Sequence, residues 1–315
     1  MSLSRRDFIK KTTVVASSLP LMGMPFSIGN EFLPSEELDV SIFSKHLQFL
    51  DYKETGQIAS ELGFNGVDLT VRPNGHVLPE NVKTNLPIAI QDLKKGGSTC
   101  KMITTSIEGV TNPLDVDIIK TAGDNDVSFY RTNWFKYIDG ISFTESLAHY
   151  QKQTHALSIL NQEYNIIGCY QNHAGRSVGG SYWEVYKLLE TVNPKYFGAQ
   201  YDIRHALVEG GLSWENGLEL LQKSIKVIVL KDFKWGQQNG KWQPINVPIG
   251  EGMVDFTTYF KLLKGYGLNP PVSLHLEYPL GGAEKGSTSL TVDKKVVYDA
   301  MKKDLNTIRK IWKAS

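Results

Sequence analysis

The chain has 315 residues, 41% of them hydrophobic, with 34 basic against 33 acidic residues and seven histidines. That length suits one large core better than two separate domains, and no stretch approaches the roughly 20 continuous apolar residues of a membrane span. The near-zero net charge argues against a nucleic-acid binder, which needs a basic face.

At the amino end, Ser4, Arg5, Arg6, Asp7, Phe8, Ile9 and Lys10 precede a mildly apolar run from Thr12 to Met24. This pattern predicts a twin-arginine export signal and hence a periplasmic or otherwise extracytoplasmic protein. A cut near Asn30 removes Arg5, Arg6, Lys10, Lys11 and Asp7, leaving 30 basic against 32 acidic residues. Residues 1–37 are therefore expected to be signal and linker, and 38–315 a single folded domain.

From Leu38 onward, eight short apolar segments end in polar or charged residues. They are Val40 to Phe43, Gly66 to Val71, Cys100 to Thr104, Ser128 to Arg131, Ile166 to Gln171, Phe197 to Asp202, Lys226 to Lys231 and Val272 to Glu277. Between them the spacing predicts helices over Tyr52 to Leu62, Pro79 to Lys95, Asp115 to Ala122, Thr144 to Tyr164, Trp183 to Thr191, Trp214 to Lys223 and Phe256 to Lys264. An amphipathic helix from Asp293 to Trp312 closes the series. Eight strand-then-helix units imply an α/β fold, the (β/α)8 TIM barrel, with its active site at the carboxyl ends of the strands. Phe233 to Val254 is the longest connection and is read as a loop that covers or shapes the site. Cys100 and Cys169 fall inside predicted strands without paired spacing and are read as small buried residues.

Residues two apart on a strand share a face. Gln171 then goes with His173, Gln200 with Asp202, Val229 with Lys231, and His275 with Glu277. Such a ring of mixed polar groups would be costly in a closed core, so it points to a polar pocket. Lys45 and His46 after the first strand, and Arg72 and His76 after the second, are candidates to grip hydroxyls, a carboxylate or a phosphate. A turn is expected at Asn74 and Gly75. Trp235 and Trp242 in the long loop could stack on the C–H face of a sugar. His149 and His155 do not share a helical face and are read as surface residues.

These residues resemble the xylose-isomerase-like barrel superfamily of sugar isomerases, epimerases, dehydratases and endonuclease-IV-like proteins. The matching pieces are Glu61 to Asp68, Asn172 to Gly175, Asp202 to His205, Lys231 with Asp232, Gly250 to Gly252, and Glu277, spread over roughly residues 38 to 312. The resemblance implies a divalent metal (Mn, Mg, Zn or Co) held by a Glu, an Asp, a His and a Glu on successive strands. Asp202 and Glu277 match that set, Gln171 stands where the first Glu would be, and Val229 replaces the His. No nucleotide cofactor is implied.

The resemblance implies a sugar isomerase or epimerase that removes a proton next to a carbonyl, giving an enediolate. Glu277, Lys231 and His205 are the expected catalytic groups, and Gln171, Asp202 and Glu277 the metal ligands. Lys45, His46, Arg72, His76, His173, Arg204, Trp235 and His275 are the expected substrate contacts. The alternatives are a keto-glycoside lyase or hydratase of the same fold and a non-catalytic carbohydrate-binding barrel. The partner is a small carbohydrate, with no nucleic acid.

Overall fold

The computed structural model describes residues 37–315, so the twin-arginine segment and its cleavage point lie outside the described residues. The strands in chain order are β1 (Val40–Phe43), β2 (Gly66–Val71), β3 (Met102–Thr105), β4 (Phe129–Arg131), β5 (Ile167–Gln171), β6 (Phe197–Asp202), β7 (Ile225–Leu230), β8 (Asp232–Gln238), β9 (Lys241–Val247) and β10 (Val272–Leu274). Eight of them, β1 to β7 and β10, pair in parallel and close into a barrel. Closure is between β1 and β10, where Val40 registers with Val272.

The helices are α1 (Tyr52–Leu62), α2 (Val82–Lys95), α3 (Pro113–Gly123), α4 (Phe143–Glu163), α5 (Tyr182–Leu189), α6 (Ile203–Gly210), α7 (Trp214–Leu221), α8 (Phe256–Gly265) and α9 (Lys294–Ala314). Their ends follow from local chemistry. Asp51 and Glu54 form a reciprocal capping box before α1, and Gly63, at φ 94°, ends it in the left-handed region that a Cβ disfavours. Ser142 and Glu145 do the same at the start of α4. The terminal helix α9 buries Val297, Met301, Leu305, Ile308 and Trp312, a stripe at helical spacing that packs between α8 and α1.

Two expectations are corrected. The segment 203–210, to which the sequence reading assigned no helix, is helical, because the Asp202 carboxylate caps it by accepting the His205 backbone N–H at 3.1 Å. The long connection after β7 is no open loop: β8 and β9 form an antiparallel hairpin from Asp232 opposite Val247 to Gln238 opposite Lys241. Its two-residue turn, Asn239 and Gly240, has both φ values positive, at 54° and 73°, matching the twist of the flanking strands.

Asp232 fastens the hairpin to the barrel. Its carboxylate accepts the backbone N–H groups of Phe233 (2.8 Å), Gly250 (2.9 Å), Gly252 (3.0 Å) and Val254 (3.1 Å). A Cβ on Gly252 would stand 2.2 Å from Asp232 Oδ1, so only glycine lets the chain fold back this closely.

Inside the barrel, Met102, Cys169 and Val227 form a small apolar cluster flanked by Phe129 and Ile167. Both cysteines are buried thiols. Other interior positions are polar. Buried Asp68 accepts from Thr104 Oγ1 (3.0 and 3.1 Å) and from Ser273 Oγ (2.6 Å). Hence β2, β3 and β10 are tied across the barrel by a carboxylate rather than by aliphatic packing alone.

Candidate active site

Asp202 ends β6 and caps α6 in one step. With Oδ1 committed to the His205 N–H, Oδ2 is left for Gln171 Nε2 at 2.8 Å and Lys231 Nζ at 3.2 Å. Asn172 prolongs the β5–β6 pairing with its side chain, accepting the Asp202 N–H at 2.8 Å and donating to the Asp202 carbonyl at 2.9 Å. The position of Asp202 is thus set by strand, helix and neighbouring amide together.

Lys231, just past β7, is the centre of the site. Its Nζ lies 3.2 Å from Asp202 Oδ2, 3.2 Å from Glu277 Oε2 and 2.9 Å from His205 Nε2. Glu277 is also held by Lys45 Nζ at 3.1 Å, and its Oε1 lies 3.6 Å from His275 Nδ1. Burial pushes the Glu277 carboxyl upward, but Lys231, His275 and Lys45 together outweigh it and hold the group well below the usual carboxylate range. The Glu277 side chain keeps 25% of its surface, whereas Asp202 is sealed. Burial raises Asp202 against the pull of Lys231.

Gln171, Lys231 and Glu277 therefore converge as expected, while Asp202 holds Gln171 and Lys231 from the sealed side. A hollow of about 50 Å³, room for a few waters, opens against this cluster. Lys45, Arg72, Gln171, His173, Lys231, His275 and Glu277 border it, together with three residues that the sequence reading did not select: Phe43, Arg131 and Trp134. Arg131 ends a predicted strand, so the rule that marked the other strand ends could have marked it too. A larger surface hollow of about 580 Å³ lies at the opposite end of the barrel, around Ser128, Ile167 and Tyr196, and its only charged lining groups are Asp126 and Lys195.

Six expected site residues stand off the hollow, sealed Asp202 among them. His46 is buried and clasps backbone, pairing Nδ1 with the Ala283 carbonyl at 3.2 Å while Nε2 accepts the Leu276 N–H at 3.0 Å. His76 turns toward Thr70 Oγ1, 3.3 Å away. Arg204 reaches Asn246 Oδ1 on the hairpin at 3.2 Å and packs over Phe233. Trp235 sits on the hairpin, 44% exposed. His205 lies buried behind Lys231, its Nδ1 accepting the Ala174 N–H at 3.1 Å, which makes it a positioning group. Elsewhere, Asn74 takes the left-handed turn expected of it, at φ 58°, and His149 and His155 are exposed.

The three imidazoles of the cluster are neutral at ordinary pH. Burial lowers His275 to about 3 and His173 to about 4, and drives His205 well below its usual value. The His173 ring lies 4.2 Å from Trp134 and 3.9 Å from His205, and its nitrogens carry no hydrogen bond among the described residues.

As they stand, Gln171, Asp202 and Glu277 do not fit a divalent metal. Arg131 Nη1 can only donate, and its 3.0 Å bond to Gln171 Oε1 turns the one ligating atom of that amide away from Asp202. The ammonium of Lys231 bridges the two carboxylates. Among the described residues no group of three His, Cys, Asp or Glu side chains is arranged to hold an ion.

Comparisons with known proteins place this geometry in context. No curated relative matches the chain. Among solved structures, the probable 3-DHS dehydratase of Bacillus anthracis superposes with a TM-score of 0.62 at 14% identity, covering 86% of this chain and 98% of the other. The 3-keto-D-glucoside 4-epimerase of E. coli gives 0.63 at 10% identity, covering 86% and 100%. A Mycobacterium smegmatis barrel in complex with magnesium gives 0.63 at 10% identity, covering 87% and 98%. At such identities the likeness concerns the fold. The family model described as Xylose isomerase-like TIM barrel matches residues 114–291, more than half of the sequence, and the chain belongs to that family.

Proposed function

We propose that this barrel is a sugar-modifying enzyme of the isomerase or epimerase type, removing a proton next to a substrate carbonyl. The observation that carries the reading is the position of Lys231, held between Asp202 and Glu277 at the edge of the hollow. Glu277 is the only acidic residue among the described residues that line it, and serves as the base. In the resting site its two lysine partners make it a weak base. A carbonyl oxygen that draws Lys45 and Lys231 toward itself loosens their grip on Glu277. The base then strengthens as the oxyanion gains its countercharge.

His173, neutral and unpartnered, is a second proton carrier. At ordinary pH it can only accept a proton, so it would act as a second base on the other face, donating there or to a departing oxygen only after taking up a proton from substrate or water. The relatives include both a keto-glucoside epimerase and a probable dehydratase, and this supports the shared first step rather than either outcome. A metal-assisted form of the same reaction would need Lys231 to leave the carboxylates. The run from Arg5 to Met24 further supports export, so that free, oxidised or glycosidic sugars are the favoured substrates. Fractionation of producing cells with amino-terminal sequencing of the mature protein checks the location.

The test of the reaction is solvent deuterium wash-in with a panel of keto-sugars. Exchange at the carbon next to the carbonyl is expected in the wild type, slowed by about 10²–10⁴-fold in Glu277→Gln. Exchange at the wild-type rate in that variant would remove Glu277 as the base.

A further inference from the structure

Two guanidinium groups border the hollow with no carboxylate in direct contact among the described residues. The Arg72 guanidinium makes no hydrogen bond or ion pair among the described residues and lies 5.4 Å from the centre of the Phe43 ring. Arg131 is 5% exposed and spends its donors on neutral acceptors, Gln171 Oε1 at 3.0 Å and the Thr105 carbonyl at 3.4 Å. Its Nε is buried without an acceptor, while the group stacks 4.3 Å from the Trp134 ring centre. Of the acidic groups nearby, Glu277 is shared by Lys45 and Lys231, Asp202 is paired with Lys231, and Asp68 directs its hydrogen bonds to Thr104 and Ser273 while acting on both guanidiniums only at a distance. Four cations thus border the hollow with Glu277 as the one carboxylate lining it, while Asp202 and Asp68 lie buried behind it. Partly desolvated positive charge of this kind is unfavourable until an anion arrives.

We propose that Arg72 and Arg131 form an anion subsite and that the substrate carries a carboxylate, making it an acidic sugar. Planar guanidinium forks match a carboxylate in two-point contact. The helix that starts beside Asp202 is capped by that side chain and offers no free backbone cradle for a phosphate. The proposal rests on the hollow being the place where a sugar reacts.

Quenching of intrinsic tryptophan fluorescence by D-glucuronate, D-glucose and D-glucose 6-phosphate tests it, with Trp134 as the reporter beside Arg131. Glucuronate is expected to bind about tenfold or more tightly than glucose, a preference that Arg72→Met loses and Arg72→Lys largely keeps. Melting temperatures of both variants separate a lost contact from a lost fold. Equal binding of glucose and glucuronate, tightest binding of the phosphate, or a preference that survives in folded Arg72→Met would overturn it. Deuterium exchange in a neutral keto-sugar without any glucuronate preference removes the substrate class and keeps the reaction. A glucuronate preference without exchange in any keto-sugar does the reverse.

Discussion

At the scale of single residues, the site is a problem of burying charge. Asp202 is sealed, and Lys231 is its closest countercharge. Removing one partner of such a pair leaves the other uncompensated, whereas removing both is far less disruptive. Lys231→Met should therefore cost about 3–5 kcal/mol in urea denaturation, and Asp202→Asn in the same background should recover most of that loss. A Lys231→Met protein as stable as wild type would show that the ammonium does not neutralise Asp202. Side-chain alternation marked Gln171, His173, Lys231, His275 and Glu277 correctly as lining the hollow, because strand geometry fixes which residues share a face. It failed for Gln200 and Asp202, which do not line it, and the choice of His46 by its position after the first strand also failed, since its two ring nitrogens bind backbone from elements more than two hundred residues away in sequence. No local pattern carries that information.

At the scale of elements, the eight barrel strands were legible because each is a short apolar run ending in polar residues. The last strand is shorter than expected, ending at Leu274, with the His275 N–H still bonded to the Leu230 carbonyl at 3.0 Å. The hairpin escaped because its apolar alternation is short, two residues in each strand with Phe233 and Trp235 on β8 and Ile245 and Val247 on β9, among otherwise polar residues. The one available signal was Asn239 followed by Gly240. The family resemblance in Asp232 and Gly250 to Gly252 has a structural meaning: together they close the base of this hairpin. Through Asn246, whose Nδ2 donates to the Glu277 carbonyl at 3.3 Å, the hairpin also steadies the segment that carries Glu277. Asp232→Ala leaves four backbone donors without their acceptor and should lower stability by roughly 3 kcal/mol or more. Limited proteolysis should then cut first within 233–254. Unchanged stability and cleavage elsewhere would show that the hairpin is held by other contacts.

At the scale of the whole molecule, a near-neutral chain gathers Lys45, Arg72, Arg131 and Lys231 around one small hollow. The polar interior of the barrel therefore departs from simple aliphatic packing where the proposed chemistry takes place. The fold could be read from periodicity, while the ammonium seated between two carboxylates could not. Gln171 and Val229 announced missing ligands, but only the coordinates show Lys231 bridging the remaining carboxylates. The rate of solvent deuterium exchange into a keto-sugar, measured before and after exhaustive chelation, tests that account most directly. An unchanged rate after chelation, abolished by Lys231→Met, is the expected result. A rate that vanishes on chelation and returns with added magnesium or zinc would contradict it.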